Sequence, residues 1–128
     1  MTKTCRFVMG LHSHQPVGNF DHVFEEAYRR SYLPFLKTLE PHRSIRLSLH
    51  FSGVLLQWME SHHPESFELL RELVGRGQVE LMGGAMEEPI LVMLPERDRQ
   101  GQMERMRRYL QEKFGVTPTG MWLAERVW

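Results

Sequence analysis

Short apolar runs alternate along the chain with longer stretches in which apolar residues recur every three or four positions. Residues 5–11 (CRFVMGL) form the first run, which predicts a buried strand closed by the polar stretch 12–19. Between residues 21 and 39, Val23, Phe24, Ala27, Tyr28, Tyr32, Phe35, Leu36 and Leu39 share one helical stripe. Pro34 falls inside it and predicts a kink or a split, because proline lacks the amide and crowds the preceding turn. Residues 45–51 alternate Ile45, Leu47 and Leu49 with Arg46, Ser48 and His50, the pattern of a half-covered strand. Ser52 and Gly53 open a short helical stretch through Met59. Pro64 begins another helix, with Phe67, Leu69, Leu70, Leu73 and Val74 apolar and Gly75 and Gly77 as left-handed caps. Residues 78–82 predict a third strand, and residues 83–95 a long apolar loop. Residues 96–114 predict a charged helix with Met103, Met106, Tyr109, Leu110 and Phe114 inward, and residues 121–124 a fourth strand after a turn.

Three strand–helix units followed by a strand imply an α/β fold with parallel strands and right-handed crossovers. No linker or repeat interrupts the pattern. The last strand has no helix to cover it, so residues 1–128 are expected to be the N-terminal part of a larger domain. Composition adds exclusions. The chain of 128 residues has 16 Lys+Arg against 16 Asp+Glu, is 41% hydrophobic and has one cysteine. Disorder is excluded by the apolar content, and an internal disulfide by the single Cys5. Neutral charge argues against a nucleic-acid partner. The run Phe7 to Leu11 is too short for a membrane span or a signal-peptide core. A cytoplasmic location, with no membrane partner, is the expectation.

Sites in parallel α/β sheets assemble at the carboxyl ends of the strands. In this chain those positions hold His12-Ser13-His14-Gln15-Pro16, then His50-Phe51-Ser52, then the segment from Glu80 through Gly83-Gly84 to Glu87-Glu88-Pro89, and lastly Trp122 to Arg126. His12 and His14, two apart on an extended segment, face the same way. Such a pair serves as backbone-satisfied loop histidines, as zinc ligands completed by His50 and Glu88, or as binders of substrate hydroxyls beside the Gln15 amide. Glu80, between Val79 and Leu81, either meets a Lys or Arg on the helix side or faces a polar site, since an unpaired buried charge is costly. Glu87 and Glu88 precede a proline, which predicts extended backbone; Glu87 reads as an exposed loop-edge residue. Glu125 lies beside Arg126 and between Trp122 and Trp128. A structural ion pair explains Glu125–Arg126, and a carboxylate among flat aromatics suits saccharide chemistry.

Three stretches together, His12-Ser13-His14-Gln15-Pro16-Val17-Gly18-Asn19-Phe20, Gly77-Gln78-Val79-Glu80 through Gly83-Gly84 to Glu88-Pro89, and Trp122-Leu123-Ala124-Glu125-Arg126-Val127-Trp128, resemble the first three motifs of glycoside hydrolase family 57. Phe24-Glu25-Glu26-Ala27-Tyr28 and His50-Phe51-Ser52-Gly53 resemble its 4-α-glucanotransferase and α-amylase branch. The resemblance implies a retaining enzyme of α-glucans or maltooligosaccharides on an incomplete (β/α)7 barrel, without metal or cofactor. It makes Glu125 the nucleophile and places His12, His14, Glu80 and Trp122 in substrate subsites; Gln15 and Glu88 join them as substrate-binding candidates. Met86-Glu87 depart from an aromatic pair common in the family. The family's acid/base aspartate belongs to a fourth motif beyond Trp128. Two other readings stand beside this one: a zinc-dependent hydrolase or deacetylase using His12 and His14, and an inactive glucan-binding fragment.

Overall fold

The alternation in residues 47–51 sets the architecture. Leu47, Leu49 and Phe51 are buried under the helices, whereas Ser48 and His50 alternate with them on the opposite face. The computed structural model describes residues 4–128. Three parallel strands, β1 (Gly10–Ser13), β2 (Leu47–Phe51) and β3 (Val79–Leu81), lie side by side in the order β1-β2-β3. His12 pairs with His50, and Ser48 with Gly10 on one side and Glu80 on the other. One sheet face therefore carries the apolar side chains and the other carries His12, Ser48, His50 and Glu80. The parallel α/β expectation is met.

Helices α1 (Asp21–Ala27) and α2 (Leu33–Leu39) connect β1 to β2, and α3 (Gly53–His62) and α4 (Pro64–Gly75) connect β2 to β3. The predicted interruption at Pro34 takes the form of a π-helical segment, Tyr28–Tyr32, in which the Leu33 amide donates to the Tyr28 carbonyl. The widened turn just ahead of the proline accommodates its missing amide without ending the helix. Ser52 caps α3 by accepting from the Leu55 amide at 3.3 Å. Gly77 closes α4 in the left-handed region (φ 70°), whereas Gly75 stays helical, so only one of the two expected caps is left-handed. Helix α5 (Glu96–Phe114) has the predicted bounds and ends at left-handed Gly115. Met106 and Leu110 are its buried residues; Met103, expected inward, is exposed.

Two strands differ from their sequence patterns. The first run of apolar residues leaves the sheet: Phe7 and Val8 are 80% and 87% exposed, and the paired segment begins at Gly10. The fourth strand shrinks to a single parallel bridge, Gly83 with Met121, held by Gly83 N donating to Gly120 O (2.8 Å) and Trp122 N to Gly83 O (2.9 Å). A 3₁₀ turn, Ala124–Arg126, replaces its end.

The long apolar loop after β3 is pinned to the start of α3. Gly53 N donates to the Met86 carbonyl at 2.9 Å, and a methyl group on Gly53 would lie 2.6 Å from that same oxygen. Gly53→Ala is therefore expected to destabilise the fold by about 1–3 kcal/mol. Urea unfolding at neutral pH measures this as a lower midpoint at an unchanged slope; an unshifted midpoint would mean that the loop moves away at no cost.

Candidate active site

A cleft of about 460 Å³ opens at the carboxyl ends of the strands, lined by His12, His14, Glu88, Ile90, Trp122, Ala124, Glu125 and Arg126. Each wall has a separate origin. His12 and His14 project in the same direction from β1 and the residue after it. Glu88 comes from the loop after β3, and Trp122 and Glu125 from the turn after the Gly83–Met121 bridge.

Glu88 is the hub. Its side chain is only 4% exposed, yet no lysine or arginine reaches it among the described residues; three imidazoles surround it instead. His14 Nδ1 donates to Oε2, and Oε1 lies 3.6 Å from His12 Nε2 and 3.8 Å from His50 Nδ1. The extended backbone expected before Pro89 is not found. Glu88 has φ 51°, and this left-handed turn is what brings its carboxylate over the sheet. Glu125 (φ 55°) and Arg126 (φ 54°) are left-handed as well, each at a cost of about 1–3 kcal/mol. All three residues line the cleft. No ion pair joins Glu125 to Arg126 among the described residues; both face the cleft.

His12 is clamped from three sides. The Trp122 ring stacks on it at 4.3 Å with an interplanar angle of 6°, His50 Nδ1 lies 2.8 Å from its Nδ1, and Glu88 faces its Nε2. Burial lowers the His12 pKa and nearby His14 adds to this, while Glu88 and Glu125 oppose it. His50, weighed in the sequence only as a further metal ligand, is fully buried. Its pKa falls to about 3, through burial first and then the neighbouring His12 and His14. An unfolded histidine takes up its proton near pH 6.5, while folded His50 stays neutral down to about pH 3. Its contribution is therefore fully present above pH 6.5 and is lost as the pH falls toward 3. Between pH 7 and pH 4 the loss is on the order of a few kcal/mol. Urea unfolding of wild type and His50→Asn at the two pH values measures it; the variant should lose less stability on acidification, and an equal loss would contradict the assignment.

Other candidates sit elsewhere. Gln15 is buried, donating from Nε2 to Tyr32 Oη (3.0 Å) and accepting from Asn19 Nδ2 (2.8 Å), so its amide ties the β1 end to the helix layer. Glu80 occupies the polar sheet face, where the Ser48 and Thr119 hydroxyls donate to it at 2.8 and 3.3 Å; no lysine or arginine pairs with it among the described residues. Glu87 is exposed on the loop, as expected, and Gln102 Nε2 (2.8 Å) and Arg105 Nη1 (3.0 Å) fasten it to α5 and lower its pKa. Met86 is buried against Gly53 at the start of α3. His12, His14 and Glu88 offer ligand atoms within 4.8 Å of one another and form a group able to hold a metal ion.

A parallel α/β sheet with carboxylates, histidines and a stacked indole at its strand ends places the chain in the class of α/β folds whose sites lie at strand C-termini. Within that class, the chain belongs to glycosyl hydrolase family 57, whose sequence model matches residues 8–128. It is 49% identical over its whole length to alpha-amylase 1 of Dictyoglomus thermophilum and 47% identical, over 95% of the chain, to a 4-alpha-glucanotransferase of Thermococcus litoralis. The crystal structure of the 4-alpha-glucanotransferase from Thermococcus litoralis superposes on 94% of the chain with a TM-score of 0.91 and 45% identity. A branching enzyme of Thermococcus kodakaraensis shares the fold, with a TM-score of 0.76 at 18% identity. The chain spans about a fifth of the length of these curated relatives (19% and 18%). No helix among the described residues is long and apolar enough to cross a membrane.

Proposed function

We propose that these residues form the nucleophile-bearing part of an enzyme that cleaves α-glucosidic bonds in α-glucans or maltooligosaccharides with retention of configuration. The observation that carries this reading is the cleft itself, which Glu125 lines together with Glu88 and the His12–Trp122 stack. Names of relatives such as alpha-amylase and 4-alpha-glucanotransferase support the substrate class.

Retaining hydrolysis needs two carboxyl groups about 5–5.5 Å apart on either side of the bond. Glu125 attacks the anomeric carbon, the bond to the leaving sugar breaks, and a glycosyl-enzyme ester forms. The second carboxyl group, contributed by sequence outside these 128 residues, protonates the departing oxygen. It then takes a proton from water or from an acceptor sugar hydroxyl. Residues 1–128 are accordingly the N-terminal part of the catalytic domain. Trp122 offers an aromatic platform for a sugar face, and His12, His14 and Glu88 offer hydrogen bonds to hydroxyls. Gln15 supports the loop that carries the histidines, and Glu80 belongs to the polar sheet face below the cleft.

The His12–His14–Glu88 group favours one other reading, a zinc-dependent hydrolase or deacetylase. Chelation separates the two. A chain extended to the length of the relatives is expected to release or rearrange maltooligosaccharides, and to keep that activity in excess EDTA. Stoichiometric zinc whose removal abolishes turnover would establish the metal reading instead.

A further inference from the structure

We infer that His50 is a positioning residue that fixes His12 in its Nε2–H tautomer, so that His12 presents a hydrogen-bond donor to the cleft. The 2.8 Å contact between the two Nδ1 atoms admits one proton, carried by one ring or the other. Two arrangements are possible, and the surroundings separate them. If His12 Nδ1 carried the proton, its Nε2 would point a bare lone pair at the Glu88 carboxylate 3.6 Å away. His50 would then carry its own proton on Nε2. That atom is fully buried and has no hydrogen-bond partner among the described residues. It also abuts Gly84 so closely that a methyl there would lie 3.1 Å from it. A buried donor without an acceptor costs about 1–3 kcal/mol.

The reverse arrangement turns an N–H toward the carboxylate and leaves His50 Nε2 as a buried lone pair, so the Glu88 contact decides between the two. His50 Nδ1–H donates to His12 Nδ1, and the same nitrogen lies 3.8 Å from Glu88 Oε1. His12 then holds its proton on Nε2, toward Glu88 and the cleft, while Trp122 keeps the ring in plane. Burial keeps His50 neutral, so the relay stays in this state through the neutral range. The arrangement also opposes metal binding at His12, because a ligating Nε2 must be unprotonated and the partner ring must accept from Nδ1. That the Nε2–H donor meets a sugar hydroxyl rests on the α-glucan reading; the tautomer itself does not.

Nitrogen-15 NMR of the histidine-labelled protein reads the tautomer directly, without substrate. Wild type should show His12 protonated on Nε2 and His50 on Nδ1. In His50→Leu the donor is gone and His12 should shift toward the Nδ1–H form. In His50→Asn a side-chain amide can still donate from the same position, and the wild-type tautomer should persist. In the extended chain, kcat/KM on maltooligosaccharides should fall about tenfold in the leucine variant, and the asparagine variant should recover most of the loss. His12 found as Nδ1–H in the wild type would overturn the inference. So would equal losses in both variants with an unchanged tautomer, the signature of a purely structural role. A wild-type enzyme inert toward α-glucans would defeat the functional reading alone, and the tautomer spectra would still decide on the relay.

Discussion

Glu125→Gln in the extended chain is expected to cut turnover on α-glucans by several orders of magnitude, on the order of 10³ or more, with the fold intact. The amide keeps the shape of the side chain and can still accept a hydrogen bond, so the left-handed turn at residue 125 is preserved. It lacks the charge and lone-pair reactivity that form the glycosyl ester. Loss should fall on kcat as well as on kcat/KM, because binding by Trp122 and the histidines is untouched. Steady-state kinetics beside a circular dichroism spectrum measures it. Turnover within tenfold of wild type would take the nucleophile's role away from Glu125.

Residues 1–128 by themselves are expected to self-associate and to show no α-glucan turnover. Among the described residues the outer edge of β1 has no partner strand, and Met121 contributes one bridge at the far edge of the sheet. Phe7, Val8 and Trp128 are 80%, 87% and 91% exposed, and Met103, Pro118 and Met121 line a groove of about 780 Å³ together with Arg97, Glu104 and Arg107. Open edges and exposed apolar surface of this kind favour association. Catalysis fails for an independent reason, since a nucleophile without an acid/base partner cannot readily expel the leaving sugar. Light scattering and a reducing-sugar assay test the two parts separately. A monodisperse monomer with robust amylase activity would mean that Glu80 or Glu88 does the acid/base work within these residues.

Periodicity and end signals carried the helices. Helix α5 is bounded in sequence by Pro95 and Gly115, and the structure starts and stops it there. Strand edges were less legible, because the first apolar run at residues 7–9 remains exposed while the polar segment GLHS pairs with β2. A strand lining a site carries its chemistry in place of apolar residues, so hydropathy alone misplaces it. The left-handed turn at Glu88 runs against the preference of a residue before proline, and only the assembled loop reveals it. His50 followed an alternating strand pattern and stood at a strand end, where its chemistry suggested only a metal ligand; its burial and contact with His12 depend on sheet register. Gln15 shows the reverse, a residue of suitable chemistry at a strand end whose amide is consumed by Tyr32 and Asn19.

The central claim is that Glu125 becomes covalently linked to sugar. Incubating the extended chain with a ring-fluorinated α-glucosyl donor that forms the ester quickly and hydrolyses it slowly should raise the intact mass by one fluoroglucosyl residue. Peptide mapping should place the label on Glu125, in the segment Trp122-Leu123-Ala124-Glu125. A label on Glu80, Glu88 or any other carboxylate, or an active enzyme that yields the inverted anomer and takes up no label, would contradict the account.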